Sequence, residues 1–162
     1  MTRLKQVLIY TALFLLSTWT AFQFENPFRQ IIRYTYTSLS DNNILFSQPG
    51  KYIHFPSALF IISFGLFVAI FYYLLTNHTI NQRIRIIVLA VLIFAASVTI
   101  HCCIDGLMKI VVCTACSDGK RTLRFNDIEY DLIFISSLTL SIIPACISEI
   151  KRRIKNAKNM DC

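Results

Sequence analysis

The amino-acid sequence predicts an all-α membrane protein, a bundle of four transmembrane helices with a short β-hairpin in its second outer loop. Of 162 residues, 55% are hydrophobic and 15% are charged, whereas about a quarter of a soluble domain is charged. The apolar residues are concentrated in four long runs, at 7–22, 55–76, 84–104 and 132–150. One protein core of this size could not bury so much apolar surface, so lipid must surround part of the chain.

Each run is about long enough to cross the membrane as a helix. A hydrocarbon layer of about 30 Å needs roughly 20 residues at 1.5 Å per residue. Charged residues occur only near the margins of the runs, such as Arg85 in the third and Glu149 in the fourth. Because the backbone finds no water inside the membrane, we expect every run to be helical. The first run resembles a signal peptide but lacks a small-x-small cleavage site, which favours a retained anchor.

Basic residues near the ends of the runs predict the orientation. They lie in the tail, at the amino terminus and between the second and third runs: Lys151, Arg152, Arg153, Lys155, Lys158, Arg3, Lys5, Arg83 and Arg85. Basic residues beside spans stay in the cytoplasm. We therefore expect both termini to be cytoplasmic and segments 23–54 and 105–131 to lie outside. The net charge of +7 follows from this topology, and we expect no nucleic-acid partner.

Small residues at helical spacing predict where the helices pack. Gly65 and Ala69 are separated by one helical turn in the second run, as are Ser137 and Ser141 in the fourth. Small residues on one face let helices approach closely in lipid. We expect packing inside the bundle, with a dimer or partner interface as the alternative. Pro144 should bend the fourth helix because proline has no backbone N–H.

Both outer segments are too long to be simple connections. In the first, residues 26–39 carry apolar residues near helical spacing. This predicts a short helix on the membrane surface, with Arg29 and Arg33 towards water and lipid phosphate. The segment could form a packed cap over the bundle or a surface that recognises a partner. In the second, Asp118-Gly119 favours a tight turn and predicts the hairpin, with 113–117 and 120–124 as its strands.

A cluster of cysteines lies at or beyond the predicted outer interface, together with one histidine: His101, Cys102, Cys103, Cys113 and Cys116. An oxidising outer compartment favours disulfides, and the four cysteines are the candidates. Sequence cannot choose among the three pairings. Inert thiols are one alternative. A metal site of His101, Cys103, Cys113 and Cys116 is another, since one CxxC supplies half of a zinc site.

A reactive dithiol at Cys113 and Cys116 is the remaining alternative, and it would make the protein an enzyme. Two outer cysteine pairs on four helices are similar to the DsbB and vitamin K epoxide reductase families of membrane thiol oxidoreductases. That resemblance implies a thiol oxidoreductase that works with a quinone.

Two further resemblances concern the topology of the whole chain and one segment of it. The order of short inner amino end, long outer loop, short inner loop, second outer loop and basic tail resembles immunity proteins against pore-forming colicins. The string CTACSDGKRTLRFNDIEYDLIF is similar to a segment of small uncharacterised four-span bacterial inner-membrane proteins, and this resemblance implies a location in a cell inner membrane. Because the sequence shows no catalytic constellation and has two elaborate outer loops, we expect a non-enzymatic membrane protein without a cofactor. We expect it to bind or shield another membrane component, with another membrane protein as its partner, as an accessory or immunity-type protein does. The thiol oxidoreductase is the alternative.

Overall fold

The computed structural model describes residues 3–39, 44–47, 56–112, 121–124 and 128–158. Within these ranges the elements are α1 (Arg3–Leu39), β1 (Ile44–Ser47), α2 (Ala58–Leu75), α3 (Ile80–Val112), β2 (Arg121–Arg124), α4 (Tyr130–Ser141) and α5 (Ile143–Lys158). Among the described residues, four segments are long and apolar enough to cross a membrane: Leu4–Ser38, Ala58–Leu75, Ile80–Asp105 and Tyr130–Ala157. The prediction of a mainly helical chain with four such segments is thereby confirmed, and these segments are consistent with a multi-pass membrane protein.

The helices form a closed ring. α1 packs against α2 and α3, and α4 packs against the same two neighbours, while α5 contacts α2 and α3. Aromatic rings from all four spans meet inside, with ring centroids 3.7 Å apart for Phe60 and Phe134 and 5.0 Å apart for Phe28 and Phe134. Each such aromatic pair adds about 0.5–1.5 kcal/mol beyond the area that it buries. The end of the ring where α2 begins is called the Ser57 end, and the opposite end is called the Glu149 end.

α1 is longer than predicted and does not stop near residue 22. It contains 37 residues, whereas α2, with 18, matches the hydrocarbon thickness. Residues 26–39 therefore continue α1 past the start of α2, and they do not form a separate helix on the membrane surface. The reason is a buried stripe of Phe28, Ile32 and Tyr36, which repeats every four residues and packs into the protein core.

The predicted β-hairpin is not supported. β2 is a strand as expected, but it pairs in parallel with β1, from Ile44 opposite Arg121 to Ser47 opposite Arg124. The other predicted strand, 113–117, lies outside the described residues. A turn signal such as Asp-Gly acts locally, whereas strand pairing depends on which distant segment runs alongside. Here the pairing joins the two segments that the sequence places in the outer loops.

The fourth span is interrupted where Pro144 predicts a bend. α4 ends at Ser141 and α5 begins at Ile143. Pro144 cannot donate to the carbonyl of Leu140, because its nitrogen carries no hydrogen. One turn earlier, the Ser141 hydroxyl donates to the carbonyl of Leu138 at 2.7 Å.

Candidate functional site

A cluster of charged and polar side chains joins three helices at the Ser57 end. It consists of Glu25 and Arg29 on α1, Ser57 before α2 and Asp131 in the first turn of α4, and it is called the Arg29 cluster. The Glu25 carboxylate is fully buried. Its Oε1 accepts hydrogen bonds from Arg29 Nη2 at 2.7 Å and Nε at 3.1 Å. Arg29 Nη2 also lies 3.3 Å from Asp131 Oδ1.

Ser57 connects these charges to the start of α2. Its backbone nitrogen lies 3.1 Å from each oxygen of the Glu25 carboxylate, and its hydroxyl donates to Asp131 Oδ2 at 2.7 Å. The same hydroxyl caps α2 by accepting from the Phe60 nitrogen. Carboxylates beside a helix N-terminus are stabilised by the partial positive charge there. The cluster therefore fixes where α2 begins relative to α1 and α4.

Arg29 of α1 points into the protein, so its predicted exposure to water and lipid phosphate is wrong, and Arg33 is half-buried beside Tyr130. The Arg29 side chain is 12% exposed, and its guanidinium carbon lies 4.8 Å from the centre of the Tyr130 ring. Arg33 Nε donates to the Tyr130 hydroxyl at 3.0 Å. The physical reason is that Asp131 and Tyr130 bring hydrogen-bonding partners from a distant part of the chain.

A second set of contacts joins α1 to the end of α3. The Tyr36 hydroxyl donates a hydrogen bond to Asp105. Both Tyr36 and Cys102 belong to the buried hydrophobic cluster, and Cys102 is 1% exposed. Cys102 and Cys103 have free thiols. Cys113 and Cys116 lie outside the described residues, so a disulfide or a reactive dithiol that involves them stays a prediction.

His101 is engaged by serines of two helices. Its Nδ1 lies 2.8 Å from the Ser97 carbonyl oxygen, and its Nε2 lies 3.2 Å from Ser136 Oγ. Both ring nitrogens that could bind a metal therefore already have protein neighbours. Within the described ranges, no three His, Cys, Asp or Glu side chains come together in a way that could hold a metal ion. The proposed site with Cys103, Cys113 and Cys116 involves two residues beyond those ranges and stays a prediction.

The four small residues expected at helix contacts are Gly65, Ala69, Ser137 and Ser141, and they differ in how closely they are packed. A Cβ atom added to Gly65 of α2 would come 2.6 Å from Thr18 Cγ2 and 2.9 Å from Phe14 Cε2 of α1. Ser137 and Ser141 are buried, whereas Ala69 is half-buried. These positions therefore differ in how tightly they are packed. Gly65 lies at a close approach of two helices that leaves no room for a larger side chain.

The Glu149 end holds a cluster that the sequence reading missed. The Glu149 carboxylate accepts from Arg152 Nε at 2.9 Å and Nη2 at 2.8 Å, and from Arg153 Nε at 2.9 Å. His78 Nε2, in the turn after α2, lies 3.7 Å from Glu149 Oε2. The signal that could have revealed it is the spacing of Glu149 to Arg152 and Arg153, since side chains three and four residues apart meet on a helix.

An apolar groove of about 520 Å³ runs along α1 and α2 near the Ser57 end. It is lined by Trp19, Thr20, Gln23, Phe24, Pro27 and Phe64. Trp19 and Phe24 are exposed, as expected for aromatic side chains in contact with lipid near a membrane interface.

No protein-family model, curated protein or solved structure matches this chain. The function is therefore argued from the geometry. The Arg29 cluster has the properties of a structural joint, because its cation and its two carboxylates pair with one another and with the end of a helix.

Proposed function

We propose that this protein is a non-enzymatic multi-pass membrane protein that binds or shields another membrane protein, as an accessory or immunity-type protein does. The main support is that α1 and α3 extend past the start of α2 and carry exposed apolar side chains there. Ile31 and Tyr34 on α1 are 52% and 74% exposed, and Met108 on α3 is 64% exposed. Exposed apolar residues past the level at which α2 begins favour a protein interface, since tyrosine and methionine are enriched at such interfaces.

The extension is held in one arrangement before any partner binds. α1 continues for 14 residues after Glu25, which is about 20 Å at 1.5 Å per residue. The Arg29 cluster fixes its base, and the hydrogen bond between Tyr36 and Asp105 joins it to α3. A preorganised surface loses less conformational entropy on binding. This rigidity supports recognition of a partner by α1 and α3.

We place the Ser57 end at the outer face of a cell inner membrane and the Glu149 end at its cytoplasmic face. Exposed Lys5 and Arg85 lie on the stretches of α1 and α3 that lead to the Glu149 end, and α5 adds Lys151, Arg153 and Lys155. Basic residues of this kind stay on the cytoplasmic side. The partner surface would then face the outer compartment.

Site-specific photo-crosslinking in native membranes tests the partner surface. A photoreactive residue replaces Tyr34 or Met108, and the matched control replaces Tyr73, which is also exposed but lies on α2 close to Tyr10 of α1, towards the Glu149 end. We expect one discrete adduct from Tyr34 and Met108 and none from Tyr73. Recovery of uncrosslinked monomer at all three positions would contradict the proposal.

A membrane thiol oxidoreductase is the second candidate, supported by the free thiols of Cys102 and Cys103 at the Ser57 end. In it, the thiolate of Cys102 or Cys103 would attack a disulfide between Cys113 and Cys116, which forms a mixed disulfide and releases the other cysteine of that pair as a thiol. Cys102 is almost completely buried, so exchange at that thiol would require local opening of α3. Replacing Cys113 and Cys116 with serine should then abolish disulfide formation in secreted substrates. Unchanged disulfide formation would remove this candidate.

A further inference from the structure

α5 carries the fourth span beyond the end of α2. Glu149 lies beside His78 in the turn that follows α2, with His78 Nε2 3.7 Å from Glu149 Oε2. α2, which has about the length of the hydrocarbon layer, ends just before this turn. The residues from 150 to 158 therefore extend roughly 13 Å past the turn, at 1.5 Å per residue. With α2 spanning the hydrocarbon layer, this part of α5 would be level with the lipid headgroups.

An exposed stripe of isoleucines runs along α5 into that region. It consists of Ile143, Ile147, Ile150 and Ile154, which are between 44% and 56% exposed. Their spacing of four, three and four residues places them on one face of the helix. Ile150 and Ile154 lie past the end of α2, where a water-exposed helix would not be expected to carry them. A membrane surface would cover both side chains.

Basic side chains flank this stripe on both sides. At 100° per residue, Lys151 and Lys155 lie on one side of the isoleucines and Arg153 lies on the other. The Arg153 side chain is 67% exposed and donates to Glu149 through Nε, which leaves its two terminal nitrogens for another acceptor. Such side chains extend their charged groups from an apolar surface towards phosphate.

We propose that α5 binds anionic phospholipid headgroups at the Glu149 end. Its isoleucine stripe lies against the acyl chains, and Lys151, Arg153 and Lys155 contact the headgroup phosphates. The charge favours this ligand, since residues 149–155 contain four cations and one carboxylate. The inference goes beyond the proposed function because it concerns a lipid and the opposite end of the bundle.

Lipid retention by the purified full chain tests the proposal. The protein is reconstituted in nanodiscs of equal parts phosphatidylglycerol and phosphatidylcholine and extracted in mild detergent, and the lipids that stay bound are quantified. We expect phosphatidylglycerol to be enriched. In the variant K151Q/R153Q/K155Q the enrichment should fall by about tenfold to a hundredfold, because each of these three side chains contacts headgroup phosphate and contributes about fivefold.

The matched control, R3Q/K5Q/R85Q, removes the same number of charges from α1 and α3. It should keep most of the enrichment. The proposal would be overturned if the parent protein showed no enrichment of phosphatidylglycerol. An equal loss of enrichment in both triple variants would also overturn it, since the lipid would then be attracted by the total charge of the protein.

A second measurement tests the isoleucine stripe without changing any basic residue. Trypsin should cleave α5 of the parent more slowly in phosphatidylglycerol nanodiscs than in phosphatidylcholine nanodiscs. In phosphatidylglycerol nanodiscs, trypsin should cleave the variant I150S/I154S faster than it cleaves the parent. Equal cleavage rates of parent and variant in these nanodiscs would contradict a role for the stripe in membrane contact.

Discussion

Replacing Arg29 with methionine should destabilise the bundle by about 3–5 kcal/mol, the usual cost of removing one partner from a buried ion pair. Arg29 and Glu25 are 12% and 0% exposed at their side chains, so water cannot replace the lost guanidinium. Asp131 is 34% exposed, and its weaker contact at 3.3 Å contributes about 0–1 kcal/mol. Since small domains are stable by about 5–15 kcal/mol, the loss is a large fraction of the total.

The double variant Glu25→Gln/Arg29→Met should be more stable than Arg29→Met alone. It removes the buried carboxylate that would otherwise lack its cation, and we expect a coupling energy of about 2–3 kcal/mol. This result would show that Arg29 stabilises the bundle mainly through its ion pair with Glu25. The packing of its aliphatic part would then contribute less to stability than the ion pair does.

The Cys102 thiol provides the assay for both variants. It is almost completely buried in the folded protein, so modification by a thiol reagent during denaturation, located by mass spectrometry, reports unfolding. Arg85→Met is the matched control, since Arg85 is exposed, and it should change stability by less than about 0.5 kcal/mol. A loss below about 1 kcal/mol for Arg29→Met, or strict additivity in the double variant, would refute the reasoning.

Three further substitutions test individual contacts by the same assay. Gly65→Val should destabilise by about 1–3 kcal/mol, because the new side chain would overlap Thr18 across the contact between α1 and α2. Ser137→Ala should leave stability unchanged or raise it by about 1 kcal/mol, since the buried Ser137 hydroxyl has no hydrogen-bond partner among the described residues. Tyr36→Phe should cost about 1–3 kcal/mol through the lost hydrogen bond to Asp105, and should speed labelling of Cys102 before unfolding.

Each of these variants has a control that introduces the same side chain at another position. Ala95→Val, the control for Gly65→Val, adds two methyl groups at an exposed position and should have little effect on stability. Ser141→Ala, the control for Ser137→Ala, removes a hydroxyl that donates to the Leu138 carbonyl and should therefore lower stability. Tyr34→Phe alters an exposed tyrosine and should not change Cys102 labelling. The reasoning fails where a variant and its control behave alike.

The spans were predictable because hydropathy depends on short stretches of sequence. The second run, 55–76, closely matches α2, and Pro144 indicated the interruption between α4 and α5. The end of α1 was not predictable in this way. Whether residues 26–39 lie on the membrane or inside the protein depends on whether other helices bury Phe28, Ile32 and Tyr36.

The candidate site was less predictable than the spans. Glu25 and Arg29 form an ordinary pair separated by four residues, and the sequence did not indicate that their carboxylate and guanidinium would be buried. Asp131, 102 residues further along, and the Ser57 amide complete the arrangement. The hairpin prediction was unsupported for a similar reason, since the described partner of β2 comes from the other outer segment.

The sequence by itself determined that four segments of this protein are apolar enough to lie in lipid as helices, because the cost of placing each residue in hydrocarbon is nearly additive along a helix. The tertiary structure alone decided which charges meet, how far α1 and α3 extend, and that two distant strands pair in parallel. These features depend on contacts between residues far apart in the chain, whose energies arise only when the helices have packed.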